Sequence, residues 1–454
     1  MQEHSENTQN NIRGVKTFPV TIIGGGLAGC EAAWQLLRRG HAVHLCEMKP
    51  QKFSPAHKIE HLAELVCSNS LKSNNLDSAP GLLKQELRRL NSLILSIADQ
   101  TAVAAGSALA VDRTEFASKV EAKLKEQKNF TLSRIEITEI PSDALTIVAT
   151  GPLTADALAK SINSMLGGSY LYFYDAIAPI IESDSIDMEK VYWASRYDKG
   201  TPDYLNCPLS EEEYKRFRQE LLDGKKVATK SFEEVKHFEG CLPIEVLAMR
   251  GEDTLAFGPM KPVGLINPKT GAMPYAVVQL RRENISGTLF NLVGFQTKLT
   301  WPEQERIFRL IPGLENAQFV RLGSIHRNTY INSRALLQPS LQLKTNPNIF
   351  FAGQVTGVEG YMESTAMGLL AGLNAAFILE GKQLQPPPPA TAIGALLHYI
   401  TSPESAANFQ PMNINFGILQ HIPVKRMKKK EKHILYVKQA LQALNGWINS
   451  QNLS

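Results

Sequence analysis

A chain of 454 residues, 43% hydrophobic and 20% charged, is too long for one ordinary hydrophobic core and has globular composition, so two or three packed units are expected. Its formal charge of +4 is compatible with a polyanionic partner without assigning one. Residues 1–16 are polar, with no apolar signal core, and no stretch approaches the ~18 uninterrupted apolar residues of a membrane span, so a cytoplasmic protein that inserts in no membrane is expected.

After that leader, read as disordered, residues 18–23 read as a short buried strand, the glycines of 24–29 as a turn and 31–39 as a helix capped by Gly40. Residues 42–47 read as a second strand, so a β-α-β unit opens a doubly wound, Rossmann-like α/β domain. Residues 143–150 and 348–353 read as further strands, the latter followed by a small-residue helix over about 362–379. Between them lie strand-like stretches at 170–174 and 288–295 and a charged helical stretch at 211–222, read as an inserted α+β domain. Four prolines at 386–389 read as a stiff linker to a C-terminal helical extension. The expected organisation is a nucleotide-binding domain in two parts, 17–169 and 324–385, an insertion at 170–323, and a basic helical extension at 386–454.

Gly24-x-Gly26-x-x-Gly29 gains its meaning from context, since it directly follows a strand, opens a helix and is answered by Glu47 at the end of the second strand. Such glycines let the backbone approach a pyrophosphate at the positive helix end, with Gly25, Leu27 and Ala28 completing the turn. Glu47 suits an unphosphorylated ribose diol, as in FAD or NAD. Phe351-Ala352-Gly353-Gln354, followed by Gly357 and Gly360, resembles the second flavin-contacting segment of two-part FAD folds, which a simple NAD domain does not need. Many flavoproteins have Asp where Gln354 stands. The five cysteines form no CxxC pair or metal-ligand spacing, so isolated thiols in a reducing compartment and no metal site are expected. Packing explains Cys30, Cys46 and Cys207.

More specific segments are Leu65-Val66-Cys67-Ser68-Asn69-Ser70-Leu71-Lys72, Phe238-Glu239-Gly240-Cys241-Leu242-Pro243-Ile244-Glu245, Lys261-Pro262-Val263-Gly264-Leu265, Tyr275-Ala276-Val277-Val278-Gln279-Leu280-Arg281 and Gly360-Tyr361-Met362-Glu363-Ser364. Together, from residue 18 to beyond 379, the chain resembles the folate- and FAD-dependent tRNA uracil methyltransferases, relatives of the larger flavin proteins that modify the wobble uridine. Those relatives carry a long helical C-terminal domain, for which too few residues follow Pro389.

The resemblance implies that 5,10-methylenetetrahydrofolate supplies a one-carbon unit, that reduced FAD supplies electrons and that NADH or NADPH regenerates the flavin. The substrate it implies is a uridine of the tRNA T-loop, position 54; the same chemistry on ribosomal RNA and a redox-silent RNA-binding flavoprotein are the alternatives. Carbon 5 of uracil is a poor nucleophile until a thiolate adds at carbon 6. Cys67 and Cys241 match the family's two functional cysteines, and either serves as nucleophile, the other handling the one-carbon unit or protons. His326, in Ser324-Ile325-His326-Arg327-Asn328-Thr329, matches the histidine that stacks on the folate pteridine, and Tyr361 the aromatic that lies over the flavin. Lys425, Arg426, Lys428, Lys429 and Lys430 form the one strongly basic run, which suits RNA phosphates and equally a solvated helix face.

Overall fold

The structure is a computed structural model that describes residues 20–141, 144–167, 170–198, 200–227, 242–403, 409–420 and 427–453. The leader at 1–16, Phe18, Cys241, Lys425 and Arg426 therefore lie outside the described residues.

The first strand, Val20–Ile23, is flanked in parallel by Val43–Glu47 and Thr146–Val148. These belong to a six-stranded sheet that ends in Phe130–Arg134 on one side and in Asn346–Phe351 with Gln342–Leu343 on the other. Strands buried on both faces need apolar runs, which Val20, Ile22 and Ile23 supply in the first strand and Ile349-Phe350-Phe351 in the last. The helix Leu27–Arg38 starts four residues before its apolar pattern becomes clear, because Gly26 already serves as its N-cap. It ends where Gly40 turns to φ +81° and donates to the Leu37 carbonyl at 2.9 Å.

This helix packs against the long helix Tyr361–Leu379 at small residues. A Cβ on Gly368 would lie 2.2 Å from the Ala28 carbonyl oxygen, and one on Gly372 2.6 Å from that of Ala32. Tyr361–Leu379 is long and apolar enough to cross a membrane, with a mean hydropathy of 1.3, yet 89% of that window is buried inside the protein. After the four prolines, Ala392–Thr401 joins the same core, Ala392, Ile393 and Leu396 being fully enclosed. The last helix, Lys429–Gln451, lays Tyr436, Val437, Ala440, Leu444 and Trp447 on that core and leaves Ile434 exposed.

A second apolar cluster forms around a six-stranded sheet running from Tyr192–Ala194 through Tyr204–Leu209, Ala276–Arg282, Leu289–Leu292 and Ile180–Glu182 to Phe319–Arg321. Its neighbouring strands are antiparallel, and helix Glu211–Asp223 covers it behind a Ser210/Glu213 capping box. Strands Tyr170–Ala176 and Ile325–Ile331 pair antiparallel where the chain passes between the two clusters. The seam is otherwise polar: Arg113 pairs with Glu283 at 2.9 Å, and Asn69 donates to the Arg282 carbonyl at 2.9 Å.

Candidate active site

Gly24 sits at φ +103°, and a Cβ there would meet the Ala149 carbonyl oxygen at 2.6 Å. On Gly29 a Cβ would lie 2.0 Å from the Gly24 oxygen, so both glycines are demanded by backbone packing. Gly26 differs: a Cβ there would meet no protein atom within 4 Å. Its bareness serves the cleft it faces, of about 1010 Å³, which runs along the sheet's carboxyl edge and the uncapped start of helix Leu27–Arg38. Glu47 is held by two backbone donors, Gly25 at 2.8 Å on Oε2 and Lys49 at 3.0 Å on Oε1. From the far end of the chain Gly353, at φ +80°, closes to where a Cβ would lie 2.7 Å from that of Ala28. The turn, the acid and the second glycine segment thus border one long cleft, and these residues fit a flavin dinucleotide.

A second chamber of about 1150 Å³ opens beyond it, and Tyr361, Gln354 and Val66 line both. The Tyr361 hydroxyl accepts from the Cys67 amide at 2.8 Å and the Ser68 amide at 3.2 Å. Burial pushes the Tyr361 phenol up, and the neighbouring Cys67 adds to the shift, so the hydroxyl stays protonated. Gln354 is pinned by its amide donating to Glu359 at 2.6 Å.

Cys67 is half-buried on the loop before strand Ser70–Ser73 and lines the second chamber. The loop is fixed from the other core: Arg281 donates to Ser68 Oγ at 2.7 Å and to Asn69 Oδ1 at 3.1 Å. Two further guanidinium groups act on the thiol. Burial works to lower the Arg113 pKa, but Glu283, Tyr361 and Cys67 together raise it. Arg321 is lowered by burial and by Arg113, while Tyr361 and Cys67 pull it back.

Sequence reasoning assigned no role to Arg113, Arg281 or Arg321, which come from distant parts of the chain. Arg281 is only 6% exposed at the end of the strand Ala276–Arg282, where it follows the mostly apolar run Ala276–Leu280, and that cation after an apolar run was the one signal the sequence carried. Cys30, Cys46 and Cys207 are buried, and burial pushes their thiols up.

Cys241 lies outside the described residues, but the chain just after it reaches the chamber wall. Ile244 donates to the carbonyl of Gln296, which lines the chamber. Glu245 is fully buried and is consumed by the Lys298 amide at 2.7 Å and the Thr297 hydroxyl at 3.0 Å. His326 stands in strand Ile325–Ile331 opposite Asp175; its side chain lies outside the described residues, while Asn328 of the same strand lines the chamber.

Lys428, Lys429 and Lys430 are exposed at the start of helix Lys429–Gln451. His433 on its next turn bonds the Asp77 carbonyl at 3.3 Å, on the loop leading from strand Ser70–Ser73 to Pro80, itself on the chamber wall. Cations at a helix N-terminus oppose its dipole at a cost of about 0.3–1 kcal/mol each, so helix stability does not explain this placement.

The family described as glucose inhibited division protein A matches residues 19–383. A methylenetetrahydrofolate--tRNA-(uracil-5-)-methyltransferase TrmFO of Syntrophus aciditrophicus is 62% identical over 433 residues, covering 95% of this chain and 98% of its own. The protein of the same description from Geobacter sulfurreducens is 58% identical, covering 95% and 99%. Among solved structures, GidA of Aquifex aeolicus in its form I crystal is 17% identical with a TM-score of 0.65, covering 94% of this chain and 76% of that one, a likeness of fold.

Proposed function

The chain belongs to the methylenetetrahydrofolate--tRNA-(uracil-5-)-methyltransferase family, within the wider glucose inhibited division protein A family, and from that premise we propose how its residues methylate carbon 5 of a tRNA uridine. The one-carbon unit comes from 5,10-methylenetetrahydrofolate, and the target in this reading is the T-loop uridine at position 54. When bound, FAD supplies hydride chemistry, with NADH or NADPH as the external reductant. Gly24 to Gly29, Glu47 and Gly353 hold the dinucleotide.

The observation that carries the reading is the junction at Tyr361, where the dinucleotide cleft meets the chamber holding Cys67 and the tyrosine hydroxyl accepts the Cys67 amide. A cysteine thiolate adds to carbon 6 of uracil and makes carbon 5 nucleophilic. Cys67 and Cys241 are the two thiols for this addition and for handling the one-carbon unit, and Arg113 and Arg321 stabilise the negative charge at Cys67. His326 is the stacking partner for the pteridine. The target base reaches the chamber by leaving its helix, while Lys428, Lys429 and Lys430, with Lys425 and Arg426, neutralise backbone phosphates.

The test is to incubate purified protein with unmodified tRNA transcript, 5,10-methylenetetrahydrofolate and NADPH, and to analyse nucleosides by mass spectrometry. A yellow protein that forms 5-methyluridine only when the folate is present is the expected outcome. Yellow protein without product in tRNA moves the substrate to ribosomal RNA or the role to RNA binding, and a colourless protein that takes up no FAD overturns the reading.

A further inference from the structure

Asn328, in strand Ile325–Ile331, is 3% exposed and lines the second chamber. Its carboxamide makes no hydrogen bond among the described residues. Asn291 is the contrast: its Nδ2 also lacks a partner but is wholly sealed, whereas neither amide atom of Asn328 is. The Asn328 amide therefore keeps surface on the chamber it lines, where a ligand reaches it. The other amides of that wall are accounted for. Gln354 is taken by Glu359, and Gln296 and Asn413 are less buried, so water serves them. An enclosed amide is rarely left without partners, because its lost hydration is not replaced.

The missing partner needs one acceptor and one donor side by side, the complement of a carboxamide edge. Uracil presents that pair as its 4-carbonyl and N3–H. A reduced pterin presents N3–H between a 4-oxo and a 2-amino group, so a single amide leaves its amino donor unmatched. On the uracil ring N3 stands opposite carbon 6, and a grip on N3–H and O4 leaves carbons 5 and 6 open to the thiol and the one-carbon unit. Cys67 borders the same chamber from a separate element, the loop before strand Ser70–Ser73. When a thiolate adds at carbon 6, the electron pair of the C5=C6 bond is displaced through carbon 4 onto O4. A donor already placed at O4 stabilises that enolate.

We infer that Asn328 grips the lactam edge of the target uracil, Oδ1 accepting from N3–H and Nδ2 donating to O4. The inference rests on the uridine-methylation reading above and adds to it the group that orients the base.

The test measures methylation by the FAD-loaded protein of two ligated tRNAs, one with uridine and one with 3-methyluridine at the target position. Wild type should prefer uridine in kcat/KM by roughly hundredfold or more, since a methyl group then replaces a bonded N–H. Asn328→Ala should lose roughly hundredfold on uridine and use the two tRNAs within about threefold of each other. Its FAD content, and its tetrahydrofolate affinity by calorimetry without RNA, should stay within about twofold of wild type. Wild type that methylates both tRNAs alike overturns the assignment without any variant. So does an Asn328→Ala protein slowed on both by the same factor, which marks a structural role. A variant that binds tetrahydrofolate roughly tenfold more weakly and still prefers uridine also overturns it, because the lactam edge read is then the pterin's. Wild type that methylates neither tRNA overturns the uridine-methylation reading itself.

Discussion

Tyr361 and Arg281 hold the Cys67 loop from opposite sides, one through backbone amides and the other through Ser68 and Asn69. Removing the hydroxyl in Tyr361→Phe leaves two amides without an acceptor, a local cost of about 1–3 kcal/mol. That variant should keep its flavin while Cys67 becomes roughly tenfold or more faster to alkylate, as followed by peptide mass spectrometry. Unchanged alkylation would show that the loop does not depend on this bond. The sequence pointed to Cys67 and Tyr361 because both stand in short distinctive segments. It could not point to Arg113 and Arg321, whose effect on the thiol exists only once strands and helices remote in the chain converge. The contact that Tyr361 makes was also out of reach, since nothing in its neighbours specifies a partner 294 residues away.

Two contacts between elements fix the bed on which this site rests. Gly368 has no room for a side chain against Ala28, which also meets Gly353. Gly368→Ala must push helix Tyr361–Leu379 off helix Leu27–Arg38, at about 1–3 kcal/mol. The purified variant should melt lower and carry less FAD, measured by the flavin absorbance per protein. The other contact is Glu86, fully buried, which accepts the Ala392 and Ile393 amides at 2.8 Å each and caps helix Ala392–Thr401. Burial pushes its carboxyl up to about 8 despite those bonds. The folded state then holds the proton more tightly than the unfolded chain does. Its contribution is present below the ordinary carboxylate range and is lost as pH climbs toward about 8. Melting temperatures from pH 5 to 8 should therefore fall more steeply for wild type than for Glu86→Gln, and parallel curves would refute the assignment. Periodicity made the first β-α-β unit and the small-residue helix legible. It placed the first helix start at 31 instead of Leu27, because glycines that build a turn also hide the first turn of a helix.

At the scale of the whole molecule, the lysines at 428–430 project from a helix anchored by Arg89 to the Leu441 carbonyl at 3.2 Å and by Trp447 to the Gln385 carbonyl at 2.8 Å. Replacing all three by Ala should weaken tRNA binding and lower the slope of log affinity against log salt by about 2 to 3, with FAD content unchanged. An unchanged slope would make the run a solvated face. The run's charge was legible in the sequence; its position beside the Asp77 loop was not, because that depends on which face of helix Lys429–Gln451 meets the core. The sheet order has a further consequence for biosynthesis. Val20–Ile23 lies beside Thr146–Val148, which lies beside Asn346–Phe351, so the dinucleotide bed is assembled from the two ends of the chain. At ribosomal speeds of about 5–20 residues per second, the first strand waits roughly 15–65 s for its distant neighbour to be made. Flavin uptake is therefore a late event in the life of each new chain, and a polypeptide truncated before Asn346 should leave the ribosome colourless, with an apolar sheet edge for chaperones to cover.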